Sequence, residues 1–176
     1  MSVRVRGLAI VGAIALLLAA SGCTSTVEGD AVRPEGLDGL FDPCSIPDEA
    51  LGELGLDAAT EESGIGGVRM VEFDICSWDG SWFNLSVWST YLSLEVVKGN
   101  RNIFDVRDAA IPGREAASFR QNYDRDDSAC MVAMGAGQGS LMVRIDAVDG
   151  VSRPRPGPLC DFAVEEALTL LPYLPE

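Results

Sequence analysis

The chain contains no histidine, which removes both the usual general base of nucleophilic catalysis and the commonest side-chain metal ligand. Basic residues are scarce as well: 13 Lys and Arg stand against 27 Asp and Glu, a formal net charge of −14. A domain of that charge repels nucleic acid and anionic headgroups, so no nucleic-acid partner is expected. Cysteines never occur as a Cys-x-x-Cys pair, so there is no zinc knuckle, and neither a metal nor any other cofactor is expected.

The apolar run from Leu8 to Ala20 falls short of the roughly 20 residues that span a bilayer. Preceded by Arg4 and Arg6 and followed by Ser21-Gly22-Cys23, it has the build of an export signal. Val5 separates the two arginines, so the general secretion route is expected rather than the twin-arginine route. The Ala20-Ser21-Gly22-Cys23 ending resembles a bacterial lipobox, in which Cys23 becomes the lipidated first residue of the mature protein; Ala20 stands where Leu is usual. Residues 1–22 are thus read as a lipoprotein signal peptide and residues 23–40 as a polar, glycine-containing tether. Residues 41–176 form one domain. Loss of the leader takes away Arg4 and Arg6 and makes the mature chain more acidic still. Attachment to the extracytoplasmic side of the cell membrane should then depend on an acyl anchor of palmitate type, not on a basic face.

Four cysteines remain: Cys44, Cys76, Cys130 and Cys160. An even number in an exported chain argues for disulfides, and four cysteines allow three pairings. The flanking patterns select one. Val71, Phe73 and Ile75 alternate, as do Phe83, Leu85 and Val87. A three-residue Asp79-Gly80-Ser81 loop sets Ile75 opposite Leu85 and Phe73 opposite Val87, leaving Cys76, Trp78, Trp82 and Trp88 together on the other face. Just after Cys44, a short helix with Pro47 in its first turn carries Ala50, Leu51 and Leu54 at helical spacing. A Cys44–Cys76 bridge pins that helix over the tryptophans.

A second hairpin matches Cys130, Val132 and Met134 with Leu141, Val143 and Ile145 across a glycine-rich turn at residues 137–139. Cys160 opens a terminal helix whose stripe is Ala163, Val164, Ala167, Leu168 and Leu171. A Cys130–Cys160 bridge locks it to the sheet. The expected fold is α+β: a mainly antiparallel sheet, an N-terminal helix on one face, a C-terminal helix on the other, and two disulfides. Between the hairpins the pattern predicts a short helix near Leu94–Val97 and strands near Phe104–Ala110 and Glu115–Gln121.

Several motifs combine here: Asp42-Pro43-Cys44 before a short helix, Leu54-Gly55-Leu56 closing it, Cys76-Ser77-Trp78, Cys130, and Cys160 at the start of the last helix. With the lipobox, they resemble the actinobacterial lipoproteins catalogued as domain of unknown function 3558. The resemblance implies an exported, lipid-anchored protein of a mycobacterium-like or nocardia-like envelope. It brings no catalytic residues.

Other clusters carry less. Glu72, Asp74 and Asp79 gather near the first hairpin and are the candidates for a carboxylate-dependent hydrolase acting on glycans. Asp124, Asp126, Asp127 and Ser128 open like a calcium loop, but Ala129 replaces its glycine and Gly135 its terminal glutamate, which makes a solvated turn the better reading. RPRPGP, residues 153–158, reads as a stiff loop into the last helix rather than as a polyproline ligand. The tryptophans Trp78, Trp82 and Trp88 are either a second small core or a groove for a lipid, sugar or partner. A two-turn helix is too small to cover three indoles, which leaves part of the row open. The sequence thus describes a non-enzymatic envelope protein that binds a small-molecule or lipid ligand or docks on another envelope protein. The alternatives are the glycan hydrolase and a structural accessory subunit.

Overall fold

In β2 (Asp74–Gly80) and β3 (Phe83–Thr90) the hairpin turns through Ser81-Trp82, and the pairs are Asp74 with Ser89, Cys76 with Val87 and Trp78 with Leu85. This corrects the predicted register, in which Ile75 faced Leu85. The slip is an odd number of residues, so it turns every β2 side chain over. Two physical causes are visible. Ile75 is buried on the far face as fully as Cys76 and Trp78 are on the near one, so alternation alone does not choose between them. Gly80 also belongs in the ladder and not in the turn, because a Cβ there would lie 2.7 Å from the Phe83 carbonyl oxygen. Val71 and Phe73, whose alternation with Ile75 predicts strand, lie outside it, and Val71 is 81% exposed.

The computed structural model describes residues 37, 39–124, 127–137, 139–152, 154 and 157–176, all within one compact unit of residues 33–176. The signal peptide, Cys23 and most of the tether fall outside these residues. Seven strands form one antiparallel sheet. The other five are β1 (Leu56–Ser63), β4 (Ile103–Asp108), β5 (Ala116–Gln121), β6 (Ala129–Ala136) and β7 (Gly139–Ala147). Their order across the sheet is β1-β2-β3-β7-β6-β5-β4, so β3 against β7 joins an N-terminal meander to a C-terminal one. The helices are α1 (Asp48–Glu53), α2 (Leu94–Lys98) and α3 (Leu159–Leu170).

The β6–β7 hairpin has the register its apolar pattern dictates: Cys130 opposite Ile145, Val132 opposite Val143 and Met134 opposite Leu141. The predicted segments at residues 94–97, 104–110 and 115–121 are realised as α2, β4 and β5. β1 was not anticipated. Its LDAATEES sequence is rich in Ala, Asp and Glu, which strands disfavour, and it lies at the sheet edge, where charge deters pairing with other chains.

Both bridges are formed, Cys44–Cys76 and Cys130–Cys160, each with Cα atoms 5.2 Å apart. They lie on the same face. Cys76 stands opposite Val87, Val87 opposite Val143 and Val143 opposite Val132, two residues from Cys130. The expectation of helices on opposite faces is therefore corrected: Leu51 of α1, Leu54 at its C-terminal end, and Ala163, Ala167 and Leu170 of α3 join one core over this first face. Of the predicted α3 stripe, Val164 and Leu171 are half-buried and Leu168 is 37% exposed, while Leu159 and Leu170 take the buried positions. The second face is covered by α2, whose Leu94 and Val97 pack with Phe119, Met131, Ala133 and Met142.

Candidate functional site

The three tryptophans do not share a surface. Trp78 points into the first-face core, 1% exposed, and its indole N–H has no acceptor among the described residues. Trp82 is buried in the same core against Phe83 and Phe162, with ring centroids 4.9 and 4.6 Å away. Trp88 lies on the opposite face. Its Nε1 donates to Ser86 Oγ at 2.8 Å, and its ring meets Phe73 edge-on at 5.5 Å. Alternation explains the division. Trp78 pairs with Leu85 and shares its face, whereas Trp88 is three residues beyond Leu85 and on the other side.

Trp88 and Phe73 form one wall of an open cleft of about 270 Å³ on the second face. Phe119 of β5, Met131 of β6 and Met142 of β7 make its floor. Val96 and Val97 of α2, with Leu92 and Ile103, enclose the remaining sides. Ser93 holds α2 in place by accepting from Val96 N, the N-cap bond that starts a helix of only five residues. Val97 turns into the sheet, while Val96 lines the cleft and stays 55% exposed at its mouth. The polar lining residues are Asn100 and Gln121. The volume lies near the lower edge of the roughly 300–1,000 Å³ usual for small-molecule sites, and the mix of many apolar walls and few polar groups is also usual there.

Behind Gln121 lies a buried cation. Arg144 of β7, its side chain 11% exposed, bonds Asp124 through Nη2 at 2.8 Å and Asp146 through Nε at 2.8 Å. Its Nη1 donates to Gln121 Oε1 at 2.5 Å, and the Tyr123 ring lies 5.9 Å away. Burial by itself would lower the guanidinium pKa, but the hydrogen bonds it donates to Asp146 and then Asp124 outweigh it and hold the group above its ordinary value. Arg144 is therefore a permanent cation with its charge fully answered.

The carboxylates named from the sequence do not converge. Asp74 and Asp79 are five residues apart on β2 and point to opposite faces, Asp74 buried and Asp79 exposed, while Glu72 lies exposed outside the strand. Asp124 is committed to Arg144, and Asp127 accepts from Leu159 N at the start of α3. These two act on different elements and do not form a cation loop; Asp126 lies outside the described residues. Of RPRPGP, Pro158 is the residue before α3, and Arg153, Arg155 and Pro156 are not described. Glu61 lies close to Cys44 and Cys76, but both sulfurs are spent in their disulfide.

The cleft residues Phe119, Met131, Met142 and Gln121 were missed. A signal was present: CMVAM in β6 is apolar at every position, as in a strand covered on both faces. No helix among the described residues is long and apolar enough to cross a membrane. No curated protein and no solved structure matches the chain. The family model described as "Protein of unknown function (DUF3558)" does match, over residues 18–173, and the chain belongs to that family.

Proposed function

We propose that this chain is an exported, lipid-anchored protein of an actinobacterial cell envelope, and that it works without catalysis by holding a small apolar molecule in the second-face cleft. The carrying observation is the cleft itself, walled by Phe73, Trp88 and Val97 over a floor of Phe119, Met131 and Met142. A rigid apolar concavity of this kind gains affinity by removing a ligand's hydrocarbon from water, about 25 cal/mol per Å². The absence of histidine and the divergence of Asp74 and Asp79 support binding over hydrolysis. The Ala20-Ser21-Gly22-Cys23 sequence supports the anchor.

Native mass spectrometry of the protein released gently from its own envelope tests the binding. A small-molecule adduct on the wild type that is missing from Val96→Asp is the expected result, since Val96 is half-exposed and a charge there changes the mouth without opening the core. A bare mass for both would remove the proposal. For the anchor, Cys23→Ala should move the protein from the membrane fraction to the soluble one; retention in the membrane would contradict lipidation at Cys23.

A further inference from the structure

The hydrogen-bond polarity of the cleft says more about its occupant, on the reading that the cleft binds an apolar molecule. Both polar lining residues are carboxamides, and in each the oxygen is already engaged by a group that can only donate. Gln121 Oε1 receives Arg144 Nη1 at 2.5 Å and also accepts the Tyr123 hydroxyl. Asn100 Oδ1 receives the backbone N–H of Asn102 at 2.9 Å. A guanidinium and a backbone amide have no acceptor to offer, so these contacts fix which end of each carboxamide is oxygen. At Gln121 both oxygen lone pairs are used, so what that residue has left for a ligand is its amide NH₂.

The charge around this donor is also set. Asp124 and Asp146 together outweigh Arg144 by one negative charge, in a chain whose formal net charge is −14. A carboxylate or phosphate entering here would meet like charge, and the guanidinium already spends four of its five N–H donors on Gln121, Asp124 and Asp146. A hydroxyl could accept from Gln121 Nε2, but its own O–H would find no acceptor at that residue, and an unmade hydrogen bond is costly, so a group that only accepts fits better. We infer that the cleft selects a neutral apolar molecule carrying a carbonyl acceptor, an acyl ester in chemical class, whose oxygen takes a hydrogen bond from Gln121 Nε2 while its chain lies against Trp88, Met131 and Met142.

Three probes of equal chain length separate the terms: methyl octanoate, octane, and octanoate ionised at neutral pH. They are titrated into the full chain carrying Cys23→Ala, so that no acyl anchor competes, and followed by the methyl resonances of Met131 and Met142. The ester should bind about fivefold more tightly than octane, the factor of one net neutral hydrogen bond, and octanoate should bind more weakly than the ester. In Gln121→Leu the ester should lose its advantage while octane binding persists. Equal binding of ester and octane to the unsubstituted cleft, or a preference for octanoate, would overturn the inference and leave an apolar site standing. Failure of all three probes to shift either methionine would overturn the binding reading as well. The selectivity of the unsubstituted cleft decides the matter even if the Gln121 variant does not fold.

Discussion

Two residues of β7 show how closely the sheet is built. Arg144 is the sole cation bonded to Asp124 among the described residues, and that carboxylate is 3% exposed. Replacing Arg144 by Leu strands a buried charge, so urea unfolding should show a loss of about 3–5 kcal/mol. Arg144→Leu with Asp124→Leu should recover much of it, because two apolar side chains replace an ion pair at little cost. If the double variant is no more stable than the single one, the penalty is not the stranded carboxylate. Gly139 opens β7, and a Cβ there would lie 1.9 Å from the Thr90 carbonyl oxygen. That oxygen belongs to backbone and has no rotamer with which to retreat. Gly139→Ala should therefore cost at least about 1–3 kcal/mol, read from the same unfolding curve. The indoles divide in the same way. Trp78→Ala, in the first-face core, should cost about 3–5 kcal/mol, whereas Trp88→Ala should cost less and act on ligand binding.

Among the elements, α3, through Cys160, and the chain just before α1, through Cys44, are each tied to one face of the sheet by a covalent link. The bridges close chain segments with sequence separations of 32 and 30. On the chain-entropy view each contributes about 3–4 kcal/mol. Replacing Cys44 and Cys76 together by Ala should lower the unfolding free energy by about that amount and, because α1 holds Leu51 over β1 and β2, should expose the acidic edge of the sheet first. Hydrogen exchange checks this: amides of β1 should lose protection before those of β6 and β7. Uniform loss across all seven strands would contradict it.

The elements also differ in how plainly they are written. The β6–β7 hairpin is legible to the residue, because Val132, Met134, Leu141 and Val143 meet on one face between glycines that mark the turn. The β2–β3 hairpin misleads, since Ile75 and Phe73 serve the second face while Cys76 and Trp78 serve the first, and a one-sided pattern does not exist there. The disulfide pairing is legible despite that error. Cys76 and Cys44 are brought together by the helix that follows Cys44, whichever face the strand presents.

Across the whole molecule, the cleft is the part that local pattern conceals. Its walls come from residues 73, 88, 97, 119, 131 and 142, which meet only because β3 crosses to β7 and the C-terminal meander returns toward β4. The tryptophans are close in sequence yet divided between two faces, so the visible cluster marked a core and a cleft at once. The most direct test of that division is a titration of the full chain, carrying Cys23→Ala, with octane, recorded on the three indole N–H resonances. Trp88 should shift while Trp78 and Trp82, sealed in the first-face core, stay fixed and exchange slowly with solvent. Movement of Trp82 or Trp78 with Trp88 unmoved would place the apolar site on the other face and contradict the account.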